Sequence, residues 1–320
     1  MSFARQFLKL AVSLQGQPDI SSDPAALLRD FGFYSHLAQT DGVAATAAAI
    51  EYILNRLPER NHWCVEFGAW DGLVGSTTRR LILERNYSAV LIEGSCERFA
   101  DLQKNYAGNA RVVTRNQFVG FTAVDGLDQI LADTAVPVDF DFLTVDIDGN
   151  DYHVWNAVVK YRPKVVMIEF NPTIPPEVSF IQPADPAVSQ GNSLTALVEL
   201  GKSKKYELIA VLGVNAFFVT AELFPQFGLA DNRVETLWTE RDGVTYFFAG
   251  YDGQIFLRGC RKLPWQEGTP LHEAQVQVLP AFLRRYPWTR THIRWHMALN
   301  QPGALLKKIF RRLVGGRGKP

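Results

Sequence analysis

Apolar positions along the chain fall into short β-branched runs separated by stretches with helical spacing. Residues 44–57 are Ala-rich, with Ile50, Ile53 and Leu54 at helical intervals, and Pro58 closes the segment. From Trp63 the runs WCVEFG, SAVLIEG, RVVTRN, DFLTVDID and KVVMIEF predict strands. Helical segments are predicted between them near 81–85, 97–106 and 152–160, and a further helix near 193–203 precedes YELIAVL. This βαβ rhythm predicts a doubly wound, mostly parallel sheet of seven strands. The last strand, NAFFVT, follows YELIAVL after only Gly213 and Val214. Two residues cannot hold a crossover helix, so the final pair is expected to be antiparallel. Beyond about residue 228, VETLWT, VTYFFAGY and QIFLRG are separated by Arg241-Asp242-Gly243 and Asp252-Gly253, the turn signals of a small β-meander.

The expected division is a helical extension over 1–43, an α/β domain over 44–227, a meander over 228–303 and a basic tail over 304–320. Lys plus Arg and Asp plus Glu number 33 each in 320 residues, so no global charge recruits nucleic acid. Cys64, Cys96 and Cys260 have no paired spacing, which disfavours a disulfide framework or a zinc cluster and fits a reducing, cytoplasmic setting. Arg5 and Lys9 interrupt the apolar N-terminal segment, which reads as an amphipathic helix rather than a leader. No stretch reaches the ~20 uninterrupted apolar residues of a membrane span.

Candidate chemistry starts where the first strand ends, in Glu66-Phe67-Gly68-Ala69-Trp70-Asp71-Gly72. Glycines at 68 and 72 suit a sharp turn at a strand end, where side chains would obstruct an approaching ligand. A dinucleotide fingerprint would carry Gly-x-Gly-x-x-Gly; here Glu66 stands at the first glycine, a carboxylate suited to a cationic amino-acid group rather than a pyrophosphate. The second strand ends in Glu93, placed to accept both hydroxyls of a ribose. The bland reading of both acids is that neighbouring amides satisfy them.

Together these residues resemble class I S-adenosylmethionine-dependent methyltransferases, in particular the FkbM-like branch, over about residues 63–221. The motifs that carry the resemblance are VEFGAWDG, VLIEG, FLTVDIDGNDYHVW, VVMIEFNP and the terminal NAFFV. It implies a Rossmann-like methyltransferase fold with an antiparallel last strand, S-adenosylmethionine as cofactor, and O-methylation of a hydroxylated acceptor such as a saccharide or glycoconjugate. It assigns Glu66, Gly68, Ala69, Asp71 and Gly72 to the cofactor loop and Glu93 to the ribose. Asn116 is assigned near the adenine, and Asp146 to the cofactor's rim.

Three carboxylates crowd the fourth strand's end in Asp146-Ile147-Asp148-Gly149-Asn150-Asp151. One reading is catalytic, with Asp146, Asp148 or His153 taking the proton of an attacking hydroxyl. A second is a hard cation such as Mg²⁺ on Asp146, Glu169 and Asn171 at adjacent strand ends. A third is an Asp-rich turn capping the next helix. Asn171-Pro172 follows the fifth strand, not the fourth, so the Asn-Pro-Pro-Tyr motif of amino-group methyltransferases is matched only superficially.

The aromatics Trp238, Tyr246, Phe247, Phe248, Tyr251, Phe256 and Trp265 could offer stacking faces to sugar rings, but their alternation on short strands favours the meander's own core. The tail pairs Lys307, Lys308, Arg311 and Arg312 with Leu305, Leu306, Ile309 and Phe310, a pattern suited to peripheral contact with anionic membrane or to a solvated helix face. Two rival functions stand beside methyl transfer: a nicotinamide-dependent oxidoreductase, and a non-catalytic module that keeps the fold to bind a cofactor or a partner.

Overall fold

The computed structural model describes residues 39–239, 241–303, 306 and 307. The N-terminal extension up to residue 38 and most of the basic tail therefore lie outside the described residues. The chain divides into two compact units, the first reaching Asp242 and the second starting at Gly243.

In the first unit, α1 (Gln39–Leu54) precedes β1 (Trp63–Phe67), α2 (Arg79–Glu84), β2 (Ser88–Glu93), α3 (Cys96–Asn105) and β3 (Val112–Asn116). The short α4 (Leu127–Ile130) leads to β4 (Phe142–Val145), α5 (Asp151–Ala157) and β5 (Val165–Glu169). The unit continues with α6 (Leu194–Ser203), β6 (Tyr206–Leu212), β7 (Asn215–Thr220) and α7 (Val234–Leu237). The seven strands lie in the order β3-β2-β1-β4-β5-β7-β6. All neighbours are parallel except β7, which runs antiparallel to both β5 and β6. This is the doubly wound, mostly parallel sheet of seven strands that the sequence predicts, and the two-residue link before β7 dictates its odd strand.

Period-2 alternation divides the buried side chains between the sheet's faces. Cys64, Ala89, Leu91, Phe142, Met167 and Phe217 share a cluster with Ile50, Ile53 and Leu54 of α1, Ile82 of α2 and Leu102 of α3. The alternate residue Phe218 packs against Trp155 of α5, with ring centroids 5.0 Å apart. Gly201 brings α6 onto both rings, since a Cβ there would stand 3.0 Å from Phe218. Helices thus cover both faces, and the carboxyl ends of β1, β2, β4 and β5 form one rim. Four carboxylates emerge there: Glu66 as the penultimate residue of β1, Glu93 and Glu169 as the last residues of β2 and β5, and Asp146 just past β4.

The segment VETLWT is a helix, not a strand. Its apolar residues Val234, Leu237 and Trp238 follow helical spacing and are all buried, and Asp231 accepts hydrogen bonds from the Arg233 amide (3.0 Å) and the Thr236 hydroxyl (2.8 Å) to turn the chain into it. The expected meander is therefore reduced. The second unit holds one hairpin, β8 (Thr245–Ala249) with β9 (Ile255–Gly259), turning at Gly253 with φ +80°. It adds the two-residue ribbon β10 (Lys262–Leu263) and β11 (Thr269–Pro270), and the helix α8 (Arg290–Asn300), which the hydropathy pattern did not suggest. The aromatics there do not make a core. Ile255 and Leu257 take the buried positions, while Tyr246, Phe247, Phe248, Tyr251 and Trp265 are exposed and Trp238 is buried in the first unit. A two-stranded hairpin has no second layer to bury such rings. Among the described residues, no helix is long and apolar enough to cross a membrane.

Candidate active site

Glu66 sits at the end of β1 with 4% of its surface exposed. Its Oε1 accepts from the Thr77 amide (2.8 Å) and the Thr77 hydroxyl (2.9 Å), and its Oε2 from the Ser76 hydroxyl (2.7 Å) and the Thr78 hydroxyl. A carboxylate has about four lone-pair sites, and all are filled. Glu66 is thus not open to a cationic ligand group. It fixes the start of α2 against β1 and so shapes the loop between them. The Ser-Thr-Thr run ahead of α2 is the signal that sequence reading passed over: three hydroxyls in a row before an apolar helix are natural partners for a buried acid.

The loop's glycines serve the protein before any ligand. A Cβ at Gly68, whose φ is +71°, would lie 2.7 Å from the Asp146 carbonyl oxygen. At Gly72 (φ +73°) it would strike Tyr106 and Leu102 at 2.5 and 2.6 Å. Both residues let the loop pack onto β4 and α3, rather than clearing a path for a ligand as their strand-end position suggested. Asp71 accepts from the amides of Leu73 (2.9 Å) and Val74 (2.8 Å), closing the turn, and the buried Ala69 donates to the Ile92 carbonyl (3.1 Å). Trp70 has φ +51°, unusual for a bulky residue, and its half-exposed ring lies 4.2 Å beneath the Arg98 guanidinium.

Glu93 is differently placed. Its Oε2 accepts from the Trp70 amide (2.8 Å) and its Oε1 from the Ser95 amide (2.7 Å). One bond on each oxygen leaves a lone pair on each, and the side chain is partly exposed. Two adjacent hydroxyls fit that remainder. Asn116, at the end of β3, donates to the Glu93 carbonyl (2.8 Å), so it ties two strand ends together beside this acid.

The acidic rim brings together Asp146, Asp148 and Glu169, which offer carboxylate oxygens all within 4.8 Å of one another. Loss of solvation, then repulsion from Asp151 and Asp148, raises Asp146 to about 7. Burial and the charge of Asp146 push Glu169 to about 10. The pair thus holds a proton at neutral pH, with Glu169 as the acid that donates its hydrogen bond to Asp146. Asp151 belongs to the turn instead, accepting from the Ile147 amide (3.0 Å) and the Gly149 amide (2.9 Å). Asp148 enters the rim through a left-handed backbone, φ +57°.

Two expected members stand apart. The Asn171 amide oxygen accepts from the Thr173 amide (2.9 Å) and the Thr173 hydroxyl (2.6 Å), which occupies the atom a metal would need; Asp148 takes its place in the cluster. The Nε2 of His153 lies 2.8 Å from the Gln182 carbonyl. A carbonyl can only accept, so that nitrogen carries a proton and is spent on anchoring the loop between β5 and α6.

No family model matches the chain, and no curated protein matches it by sequence. Solved structures resemble it distantly. The CMeT domain of the citrinin polyketide synthase aligns at 12% identity over 57% of this chain and 52% of that one, with a TM-score of 0.38. The N-terminal domain of EvdMO1, solved in the presence of SAH and D-fucose, aligns at 11% identity over 54% and 80%, with a TM-score of 0.36. A SAM-dependent methyltransferase from Aquifex aeolicus aligns at 10% identity over 53% and 87%, with a TM-score of 0.33. The aligned region spans about half the length of the first of these.

Proposed function

We propose that this chain is an S-adenosylmethionine-dependent O-methyltransferase acting on a hydroxylated acceptor, a saccharide or glycoconjugate. The observation that carries the reading is the sheet, in which an antiparallel β7 lies between β5 and β6 while the glycine loop after β1 faces the carboxylate ending β2. A nicotinamide oxidoreductase would want a third glycine and a free diphosphate path after β1, which Glu66 and its hydroxyl partners fill. A non-catalytic module leaves the protonated carboxyl pair at the rim without a purpose.

The residues fit the cofactor unevenly. Glu93 has the two free lone pairs that a ribose diol requires, whereas Glu66 has none for an ammonium. Any cationic ligand group is better served by the rim, whose raised carboxyls have no positive partner among the described residues. Bound S-adenosylmethionine supplies an electrophilic methyl group on a sulfonium centre. Asp146 receives the acceptor hydroxyl's proton as the oxygen attacks that methyl, and Glu169 steadies the receiving carboxylate through its own proton. Asp148 adds negative charge at the mouth. The saccharide class rests on the FkbM-like resemblance of the sequence motifs.

A divalent cation on Asp146, Asp148 and Glu169 is the second reading, favoured by the convergence of three hard oxygen donors. Transfer of a labelled methyl group from S-adenosylmethionine to a panel of saccharides and amines tests both readings. Base-stable label on hydroxyl-bearing acceptors is expected. Label on amines alone would contradict the O-methyl assignment, and full activity after thorough chelation would remove the cation.

A further inference from the structure

We propose that the second unit docks onto membrane surfaces rich in anionic lipid, through a face of exposed aromatic rings set among basic residues. This inference is independent of the reaction at the rim. Charge separates sharply between the two units. The first, up to Asp242, carries 20 Lys and Arg against 30 Asp and Glu, while the second, from Gly243, carries 13 against 3. A chain neutral as a whole is thus made of an acidic unit and a basic one. Such asymmetry points to a polyanionic surface as the partner of the basic part.

The bias does not rest on the tail. Residues 243–303 alone hold seven basic and three acidic side chains. Over the same span, large apolar groups face solvent: Phe247 (61%), Tyr251 (94%), Phe282 (54%), Tyr286 (73%) and Trp295 (54%). Four of these rings stand in two pairs. Tyr251 and Tyr286 have centroids 6.0 Å apart and Phe282 and Trp295 6.1 Å, and the Arg258 guanidinium lies 5.9 Å from the half-exposed Phe248 ring. The helix α8 contains no buried residue, yet carries Ile293, Trp295 and Leu299 together with Arg290 and Arg294.

Grouped rings fringed by arginine match the interfacial zone of a bilayer. Amphipathic rings settle there at headgroup depth while guanidinium groups meet phosphates. A polynucleotide would take the rings and the charge, but gains nothing from Val278 at 79% exposure or from Leu299. An anionic bilayer takes all three, the charge at its headgroups and the apolar groups at its acyl boundary. Exposed apolar surface on this scale marks a contact site.

Co-sedimentation of the full chain with phosphatidylcholine vesicles, with and without phosphatidylglycerol, tests the proposal. Binding should be about tenfold or more tighter on the anionic vesicles and weaken as salt is raised. Replacing Phe247, Tyr251 and Trp295 together by Ser should weaken it about tenfold, with thermal stability and S-adenosylhomocysteine affinity unchanged. A chain ending at Gly303 should still bind. The proposal is overturned if neutral and anionic vesicles bind alike, or if the triple variant binds as the parent does. It is equally overturned if the chain ignores vesicles and instead binds a single-stranded oligonucleotide, or self-associates through the same rings.

Discussion

Replacing Asp146 by Asn is expected to slow methyl transfer by about 10²–10⁴-fold, the usual loss when a positioned proton acceptor is removed. Affinity for S-adenosylhomocysteine should fall far less, by no more than the loss of one carboxylate near its ammonium group, because proton transfer from the acceptor plays no part in binding it. The reason lies in the neighbours of Asp146. An ordinary Asp is too weak a base near neutrality, but loss of solvation and the charges of Asp151 and Asp148 raise this one to about 7. Activity should therefore rise with pH through that region, as Asp146 gives up its own proton. Glu169→Gln offers a sharp contrast. The amide keeps a donor toward Asp146, so most activity should survive, and because the hydrogen bond from Glu169 lowers Asp146, a weaker amide donor should leave the rising limb in place or move it to higher pH. A rate for Asp146→Asn within threefold of the parent would take the rim out of the mechanism.

A second large effect concerns the fold itself. Stability is expected to fall as pH rises from 5 to 9, by something on the order of 3–6 kcal/mol. Asp151 is raised by burial to about 6, Asp146 to about 7 and Glu169 to about 10, all above the unfolded values near 4. The folded chain therefore holds protons that the unfolded chain releases. The stabilisation tied to those protons is complete below about pH 4 and is lost as pH climbs through the folded values. Urea unfolding at pH 5, 7 and 9 measures it, and the double variant Asp146→Asn with Glu169→Gln should show a much shallower dependence. A flat profile for the parent would mean that the rim carboxyls are compensated in solution. If millimolar Mg²⁺ restores the stability lost at pH 9, the compensating partner is a cation.

The topology was legible because it is written in local signals. Two residues between YELIAVL and NAFFVT exclude a crossover, and β-branched runs alternating with helical spacing specify the rest. The end of the first unit was not, because VETLWT satisfies a period of 2 and a period of 3.6 alike, and only the burial of Val234, Leu237 and Trp238 together decides for the helix. Glu93 ends β2, as its place in VLIEG predicts, and each of its oxygens keeps a free lone pair there. Glu66 has the same kind of position but the opposite fate, since its partners Ser76, Thr77 and Thr78 lie ten to twelve residues on, across a loop whose path the sequence does not reveal. Asn171 and His153 stand apart from the carboxyl cluster for a related reason. Each found a partner nearby, Thr173 for one and the Gln182 carbonyl for the other, that outcompetes a ligand.

If the ends of β1 and β2 hold an adenosyl amino acid, titration calorimetry of the full chain should show binding of S-adenosylhomocysteine and none of NAD. Glu93→Ala should weaken that binding by roughly 1.5–3 kcal/mol, the scale of hydrogen bonds to a charged group. Tight NAD binding with no heat from S-adenosylhomocysteine would contradict that assignment, as would a Glu93→Ala chain that binds S-adenosylhomocysteine as the parent does.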